Sequence, residues 1–371
     1  MTPDVAELQR RARKILPPEL YDYYAGGSGR ERTLRAAEKA WRQVWFAPRV
    51  LRDVSAVDTA TRLLGTPVAT PLCVAPTGYQ GLAHPDGEVA AAAGAARAGA
   101  LYVLSTRSTR RIEDVGGAVA AHGGAWWFQV YVMRDRRLTE GLVRRAAAAG
   151  ATALVLTGDT PAVGRKRRDS GDGVVSDQDF LVNLGPLDDL TSAAQTADVT
   201  LCDIGWLSEL SGGLPVVVKG VLRADDAAEC QEHGAAGVIV SNHGGRQLDG
   251  ALPSALALPG VATALAVSQA PGDGRASTSD PHGGDRPAEV YADGGIRAGE
   301  DALAALALGA RAVFLGRPVL WALACGGADG VQSLIEGLTG DLIHAMTLAG
   351  VTSLAGAAGI ARLDTGGWQP R

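Results

Sequence analysis

Leu214–Gly245 reads LPVVVKGVLRADDAAECQEHGAAGVIVSNHGG, and its reading decides the fold. Pro215–Lys219 (PVVVK) and Gly237–Ser241 (GVIVS) are apolar on successive residues and rich in β-branched side chains. That is the pattern of strands covered on both faces. Ala224–His233 between them has helical length, and Gly234 follows it where a helix end favours glycine. Strand, helix and strand in this order form a right-handed βαβ unit.

The unit repeats on both sides. Upstream lie Leu72–Pro76 (LCVAP), Leu101–Ser105 (LYVLS), Trp126–Val132 (WWFQVYV) and Ala153–Thr157 (ALVLT); downstream lie Glu289–Asp293 (EVYAD) and Ala312–Gly316 (AVFLG). Alanine-rich stretches of helical length, Gly87–Ala98, Leu138–Ala149 and Glu300–Leu308, end at Gly99, Gly150 and Gly309. Eight strands in this alternation predict an α/β fold of the closed (β/α)8 TIM-barrel type, with a doubly wound open sheet as the alternative. Residues 1–65 carry helical patterns at Val5–Ile15 and Thr33–Ala40 and read as an N-terminal helical cap on a barrel spanning 66–371. The expected organisation is therefore one domain over 1–371. Two stretches break the rhythm. Residues 166–213 are too long for an ordinary βα loop and begin with the polar run KRRDSGDGVVSDQD. Residues 268–286 are rich in Gly, Ser, Asp and Pro and read as a polar, solvent-exposed or disordered insertion.

Composition narrows the class. Of 371 residues 46% are apolar, enough for a sizeable core, and the net charge of −5 argues against nucleic acid as a partner. The four cysteines stand far apart with no CxxC or CxH pair, which disfavours a metal site and suits a reducing compartment. The charged N-terminus lacks an apolar signal region, and no run of ~18 apolar residues occurs, so a cytoplasmic protein without a membrane partner is expected.

In such barrels the chemistry sits at the C-terminal ends of the strands. Here those ends carry Pro76-Thr77-Gly78, Ser105, Gln129 and Tyr131, Thr157 and Asp159, Lys219, Ser241 to Arg246, Asp293-Gly294-Gly295-Ile296-Arg297, and Gly316-Arg317. The last two groups occupy the usual phosphate position: glycines let backbone N–H groups approach an anion, and two arginines add charge and forked donors. A purely structural reading makes them tight turns with surface arginines. Lys219 ends a buried strand, so it either meets a negative charge or reaches solvent; a cation there suits a flavin, which gains charge on reduction. His243 lies between a strand end and a glycine pair. A lone histidine is commonly structural, but Asp159 ends another strand and can fix the ring's tautomer, and Arg246 can clamp a carboxylate. A base and an anion clamp over a redox ring suggest oxidation of a hydroxy acid.

SNHGGRQLDG (Ser241–Gly250) closely resembles the signature of the FMN-dependent α-hydroxy-acid oxidases and dehydrogenases, the family of glycolate oxidase, lactate oxidase and mandelate dehydrogenase. YDYYAGG (Tyr21–Gly27), APTGYQGLAHPDGE (Ala75–Glu88), WFQVYV (Trp127–Val132), LTGDTPAVG (Leu156–Gly164), VVVKGV (Val217–Val221) and ADGGIRAGEDALAALALGA (Ala292–Ala310) match in family order over nearly the whole chain. The resemblance implies FMN as cofactor and oxidation of an L-2-hydroxy acid to the 2-oxo acid, with O2 or another acceptor taking the electrons. It implies His243 as base assisted by Asp159, and Tyr23, Arg246 and Tyr131 around the substrate. Lys219 would stand near the flavin N1–C2 edge and Pro76, Thr77 and Gly78 near N5. Ser105, Gln129, Thr157 and Ser241 would lie on the ring, and Asp293, Gly294, Gly295, Arg297, Gly316 and Arg317 on ribityl and phosphate. A homotetramer or octamer is implied by the same analogy. Two departures stand out. Relatives carry Arg two residues after the glycine matched by Gly164, where this chain has Lys166, with Arg165 and Arg167 alongside. Lysine keeps the charge but loses the planar fork. Arg107 replaces a bulky aromatic of the glycolate oxidases, and it either enlarges and electrifies the substrate pocket or points to solvent. Rival readings are an FMN barrel of different chemistry, such as an isomerase or another flavin oxidoreductase, and a flavin-binding relative without turnover. A nicotinamide-linked version is weakened because no GxGxxG follows a strand and opens a helix.

Overall fold

The computed structural model describes residues 4–168, 181–185, 187, 189–267 and 287–364. Most of the polar run 166–179 and all of the insertion 268–286 lie outside them. The eight apolar segments form parallel strands: β1 Leu72–Val74, β2 Tyr102–Leu104, β3 Trp126–Val130, β4 Leu154–Thr157, β5 Val216–Val221, β6 Gly237–Val240, β7 Glu289–Asp293 and β8 Ala312–Leu315. They close in the order β7-β8-β1-β2-β3-β4-β5-β6. Pairing of Val313 with Leu72, Phe314 with Cys73 and Leu315 with Val74 seals β8 to β1, which excludes the open sheet.

The alternation of side chains divides the apolar residues into two cores. Inward positions such as Leu101, Val103, Trp127, Val155, Val217, Ile239, Tyr291 and Phe314 fill the barrel. Trp127, Tyr291 and Phe314 meet there with ring centroids 5.6–5.9 Å apart. Outward positions pack against the surrounding helices. The antiparallel hairpin Thr61–Leu63/Thr66–Val68 contributes Leu63 and Val68 to the inner core.

Before the barrel run α1 Val5–Ile15, α2 Pro18–Ala25 and α3 Arg32–Trp41. The barrel helices are α4 Gln80–Ala83, α5 Gly87–Arg97, α6 Ile112–Ala120, α7 Arg136–Ala148, α8 Cys202–Leu210, α9 Ala224–Glu232, α10 Ser254–Val267, α11 Gly299–Ala307 and α12 Arg317–Leu348. The glycines expected after four of them, Gly99, Gly150, Gly234 and Gly309, all have positive φ. The expected long loop after β4 contains α8, so that connection too has its helix.

The cap is seated on the mouth of the barrel. Trp41 Nε1 donates to the Gly294 carbonyl at 2.7 Å, and Thr33 N donates to Asp249 at 3.0 Å. Gly295 has φ +86° and approaches α3 so closely that a Cβ would stand 2.5 Å from the Ala37 carbonyl oxygen. Val44–Phe46 pairs with Ala361–Leu363, which ties the segment after the cap to the far end of the described chain. No helix among the described residues is long and apolar enough to cross a membrane.

Candidate active site

The loops after the strands enclose a cavity of about 990 Å³, counting its open mouth. Of the residues singled out from sequence, Tyr23, Pro76, Thr77, Gly78, Ser105, Arg107, Tyr131, Lys219, His243, Arg246, Asp293, Gly294, Gly295, Arg297, Gly316 and Arg317 line it. Gln129, Thr157, Ser241 and Asp159 stand behind that lining, each hydrogen-bonded to a residue that forms it or to one another. Lys166 is outside the lining; its ammonium lies 6.0 Å from the Tyr23 ring centroid. Of its neighbours, Arg165 and Arg167 are exposed, and Arg168 pairs with Glu31 at 2.8 Å and Asp22 at 3.5 Å. The half-buried Lys166, rather than a neighbouring arginine, is thus the cation of this segment that faces Tyr23.

His243 follows β6 with φ +58°, a conformation uncommon outside glycine. Its amide donates to Ser241 Oγ at 3.0 Å, while the Asn242 side chain accepts from Gly245 N. The ring is held on both sides: Nδ1 is 3.0 Å from Asp159 Oδ1, and Nε2 is 3.5 Å from the Tyr131 hydroxyl. Burial and the charge of Lys219 outweigh the attraction of Asp159 and lower the His243 pKa below its ordinary value. The ring is therefore neutral at pH 7. Burial pushes the Asp159 carboxyl up, but His243 and Lys219 outweigh it and hold the group below the usual range, so it is ionised. Burial, with Asp159, raises the Tyr131 phenol and keeps it protonated. An ionised acceptor on Nδ1 leaves Nε2 as the free basic nitrogen, beside a phenol that can donate.

Asp159 reaches this position because the next strand yields to it. Gly220 has φ +105° where the pairing of β5 with β6 shifts register, and a Cβ there would stand 2.5 Å from Asp159 Cβ. Gly220→Ala is expected to strain the backbone and displace Asp159. Misplacing such a group by ~1 Å costs on the order of 10²-fold in turnover. Steady-state kinetics beside a far-UV spectrum of the folded variant checks this.

Lys219 and Asp293, only 4% and 5% exposed, pair at 3.2 Å, and Lys219 also donates to Ser241 Oγ at 3.0 Å. Burial opposes the ammonium, but Asp293 and Asp159 outweigh it and raise its pKa. On the other side, Ser105 Oγ and Thr106 N both donate to Gln129 Oε1 at 3.1 Å, and Gln129 Nε2 donates to Thr157 Oγ1 at 3.0 Å. This belt fixes polar groups across the ends of β2, β3 and β4.

Three arginines gather opposite. Arg246 lies 4.9 Å over the Tyr23 ring and donates to the carbonyls of Tyr23 and Gly26. Arg317 donates to the carbonyls of Tyr24, Gly244 and Gly26. Arg297 pairs with Glu38 at 3.1 Å. Burial, then the neighbouring charges of Arg246 and Arg297, push Arg317 down to about 9. A buried cation among cations calls for an anion. Gly294 and Gly295, both at positive φ, line the cavity with it, and Asp293 Oδ1 is buried without a hydrogen-bond partner. An arginine corner for phosphate, an unsatisfied carboxylate oxygen for hydroxyls and a polar belt for a ring together fit FMN.

Sequence reasoning missed Tyr24 and Tyr79, which also line the cavity, with Tyr24 Oη donating to the Tyr79 carbonyl at 2.6 Å. It also missed Glu88, fully buried and accepting from Gln80 N, Thr109 N and Thr109 Oγ1. Glu88 staples the loop after β1 to the loop after β2. The only signal was an acidic residue in the first turn of a helix, which reads equally well as an exposed dipole partner.

Comparison with known proteins agrees with this geometry. The family model described as FMN-dependent dehydrogenase matches residues 12–359. The chain is 41% identical over 365 residues to a 4-hydroxymandelate oxidase of Amycolatopsis orientalis, covering 95% of this chain and 96% of that one. It is 42% identical over 364 residues to an L-lactate oxidase of Nostoc sp., covering 94% of each. A crystal structure of mandelate oxidase superposes with a TM-score of 0.82 at 39% identity, covering 97% of this chain and 98% of that one. The chain belongs to the FMN-dependent dehydrogenase family.

Proposed function

We infer that the protein oxidises an L-2-hydroxy acid to the corresponding 2-oxo acid. The observation that carries this reading is the convergence of a neutral, carboxylate-oriented His243 with Tyr131 and Arg246 on one cavity that also holds the arginine corner. FMN, when bound, supplies the two-electron acceptor, and O2 or another oxidant finally takes the electrons. Arg297, Arg317 and the Gly294-Gly295 turn would hold its phosphate, Asp293 its ribityl hydroxyls, and Ser105, Gln129, Thr157 and Lys219 its ring. Arg246 and Tyr23, with the Lys166 ammonium 6.0 Å from the Tyr23 ring centroid, bind the substrate carboxylate. Tyr131 bonds the substrate oxygen. His243 Nε2 takes a proton from the substrate, and Asp159 stabilises the imidazolium that results. Burial of the cavity strengthens each of these interactions. A homotetramer or octamer is the assembly that family analogy supports.

Anaerobic mixing of the FMN-loaded protein with lactate, glycolate, mandelate and larger 2-hydroxy acids tests the reading: at least one bleaches the flavin. No bleaching across a broad panel would overturn it. The bleaching rate should be flat at neutral pH and fall on the acid side as His243 gains a proton. Because the folded protein lowers the His243 pKa, the midpoint of that fall lies below the ordinary 6.5. A midpoint above 6.5 would mean that another group limits the rate.

A further inference from the structure

We propose that Gln247 is a positioning residue for the acid–base pair: its side-chain amide ties the loop after β4 to the loop after β6 and so fixes the reach of Asp159 to His243; this rests on the function proposed above. Asp159 follows β4 and His243 follows β6, and in the closed order β5 stands between those strands. Sheet pairing therefore relates the two residues only through β5, which itself shifts register against β6 between Lys219 and Val221. The final approach of the two side chains is left to the loops.

Asp159–Gly164 form neither helix nor strand. One side chain from the other loop organises them. Gln247 Nε2 donates to the carbonyls of Asp159 at 3.0 Å and Ala162 at 2.9 Å, and Gln247 Oε1 accepts from Gly164 N at 3.0 Å. A carboxamide suits this place because it offers two N–H donors to the two carbonyls and an acceptor to the N–H. Asp159 is thus gripped twice from one short segment, its carboxylate by His243 Nδ1 at 3.0 Å and its carbonyl by Gln247. Gly164 lies close against the same segment, where a Cβ would stand 2.3 Å from the Arg246 carbonyl oxygen and 2.9 Å from Gln247 Cα. The backbone of Gln247 is anchored in turn. Its carbonyl accepts from Ser28 Oγ, and Ser28 N donates to the Gly245 carbonyl at 2.8 Å. A second glutamine, Gln195, donates to the Thr160 carbonyl at 2.7 Å, but it belongs to the connection between β4 and β5 and cannot tie that loop to β6. Arg246 keeps its own bonds to the carbonyls of Tyr23 and Gly26, and the cap holds the Arg165 carbonyl through Gly29 N at 2.9 Å. Loss of the Gln247 amide therefore loosens Asp159 and leaves the carboxylate clamp in place.

The test uses the FMN-loaded protein and the 2-hydroxy acid that reduces it fastest. Gln247→Met lowers the limiting rate of flavin reduction by about 10- to 100-fold, as for a reacting group displaced by up to ~1 Å, with substrate affinity nearly unchanged. In an Asp159→Asn background the same substitution costs little more, because its effect passes through Asp159. Nitrogen NMR of protein carrying isotope-labelled histidine reads the ring without turnover, with His243 assigned by the signals lost in His243→Asn. In the parent at neutral pH the proton sits on Nδ1, and Gln247→Met moves the signals toward those of a ring exchanging between tautomers. Gln247→Glu at about pH 8, which keeps the length and the acceptor but loses the donors, goes through the same measurements and decides the matter if the Met variant fails to hold flavin. An unchanged rate, an equal loss in both backgrounds, or His243 signals identical to those of the parent would overturn the proposal. If no 2-hydroxy acid bleaches the flavin, the proposed oxidation fails, while the His243 signals still decide the role of Gln247.

Discussion

His243→Asn is expected to slow flavin reduction by roughly 10²- to 10⁴-fold while leaving the flavin bound, the range over which a positioned acid–base group acts. Asparagine is chosen because residue 243 has φ +58°, which asparagine tolerates better than most residues. The variant therefore separates loss of the ring from loss of the turn. The amide bond to Ser241 Oγ and the Asn242–Gly245 contact depend on backbone and neighbouring side chains and persist. Arg246 and Arg317 also keep their backbone partners, so the cavity wall remains. Stopped-flow reduction measures the rate, and the visible spectrum reports the cofactor. A variant that reduces as fast as the parent would remove His243 from proton transfer. Asp159→Asn provides the internal control. It keeps the imidazole but removes the charge that fixes its tautomer and stabilises its protonated form. Its loss should be substantial, and adding it to His243→Asn should cost little more, because residues acting as a unit are not additive.

The barrel was legible because a strand covered on both faces has a pattern that survives without tertiary knowledge. PVVVK and GVIVS can bury every side chain, and the glycines after the helices mark where each turn ends. Other helices were hidden for identifiable reasons. α6 contains Gly116-Gly117, which weakens its propensity, and α8 sits inside a stretch that opens with a polar run. Most of the candidate site was legible too, since strand order places the residue after each strand at the same rim. What sequence could not supply is the side of the rim each residue faces. Arg107 reads equally as a pocket or a surface residue until the Gly78 contact places it in the cavity wall. Lys166 reads as a pocket residue; its ammonium lies 6.0 Å from the centroid of the Tyr23 ring, which lines the cavity. Glu88 was invisible because a carboxylate in a first helical turn is ordinary, and its burial depends on a loop twenty residues away in sequence.

Lys219→Met is expected to destabilise the protein by ~3–5 kcal/mol, the cost of removing one partner from a buried ion pair. Asp293 would be left 5% exposed, with one carboxylate oxygen that already has no partner and a second that has lost its ammonium. Chemical unfolding measures the loss, and a variant within ~1 kcal/mol of the parent would show that the pair is not held as described. The double substitution Lys219→Met/Asp293→Asn removes both charges and should recover much of the stability. It should not recover flavin reduction, because the cation proposed to stand beside the flavin ring is still missing. The pH dependence gives a sharper readout. The Lys219 pKa is raised above 10.5, so its contribution is present at neutral pH and is lost only as pH rises through the folded value. No acid or neutral condition imitates the substitution. His243, however, is held below 6.5 partly by that same charge. With Lys219 gone, Asp159 acts on the imidazole with less opposition, and the acid fall of the reduction rate moves to higher pH. An acid limb that stays in place would mean that the ammonium and the imidazole do not sense one another.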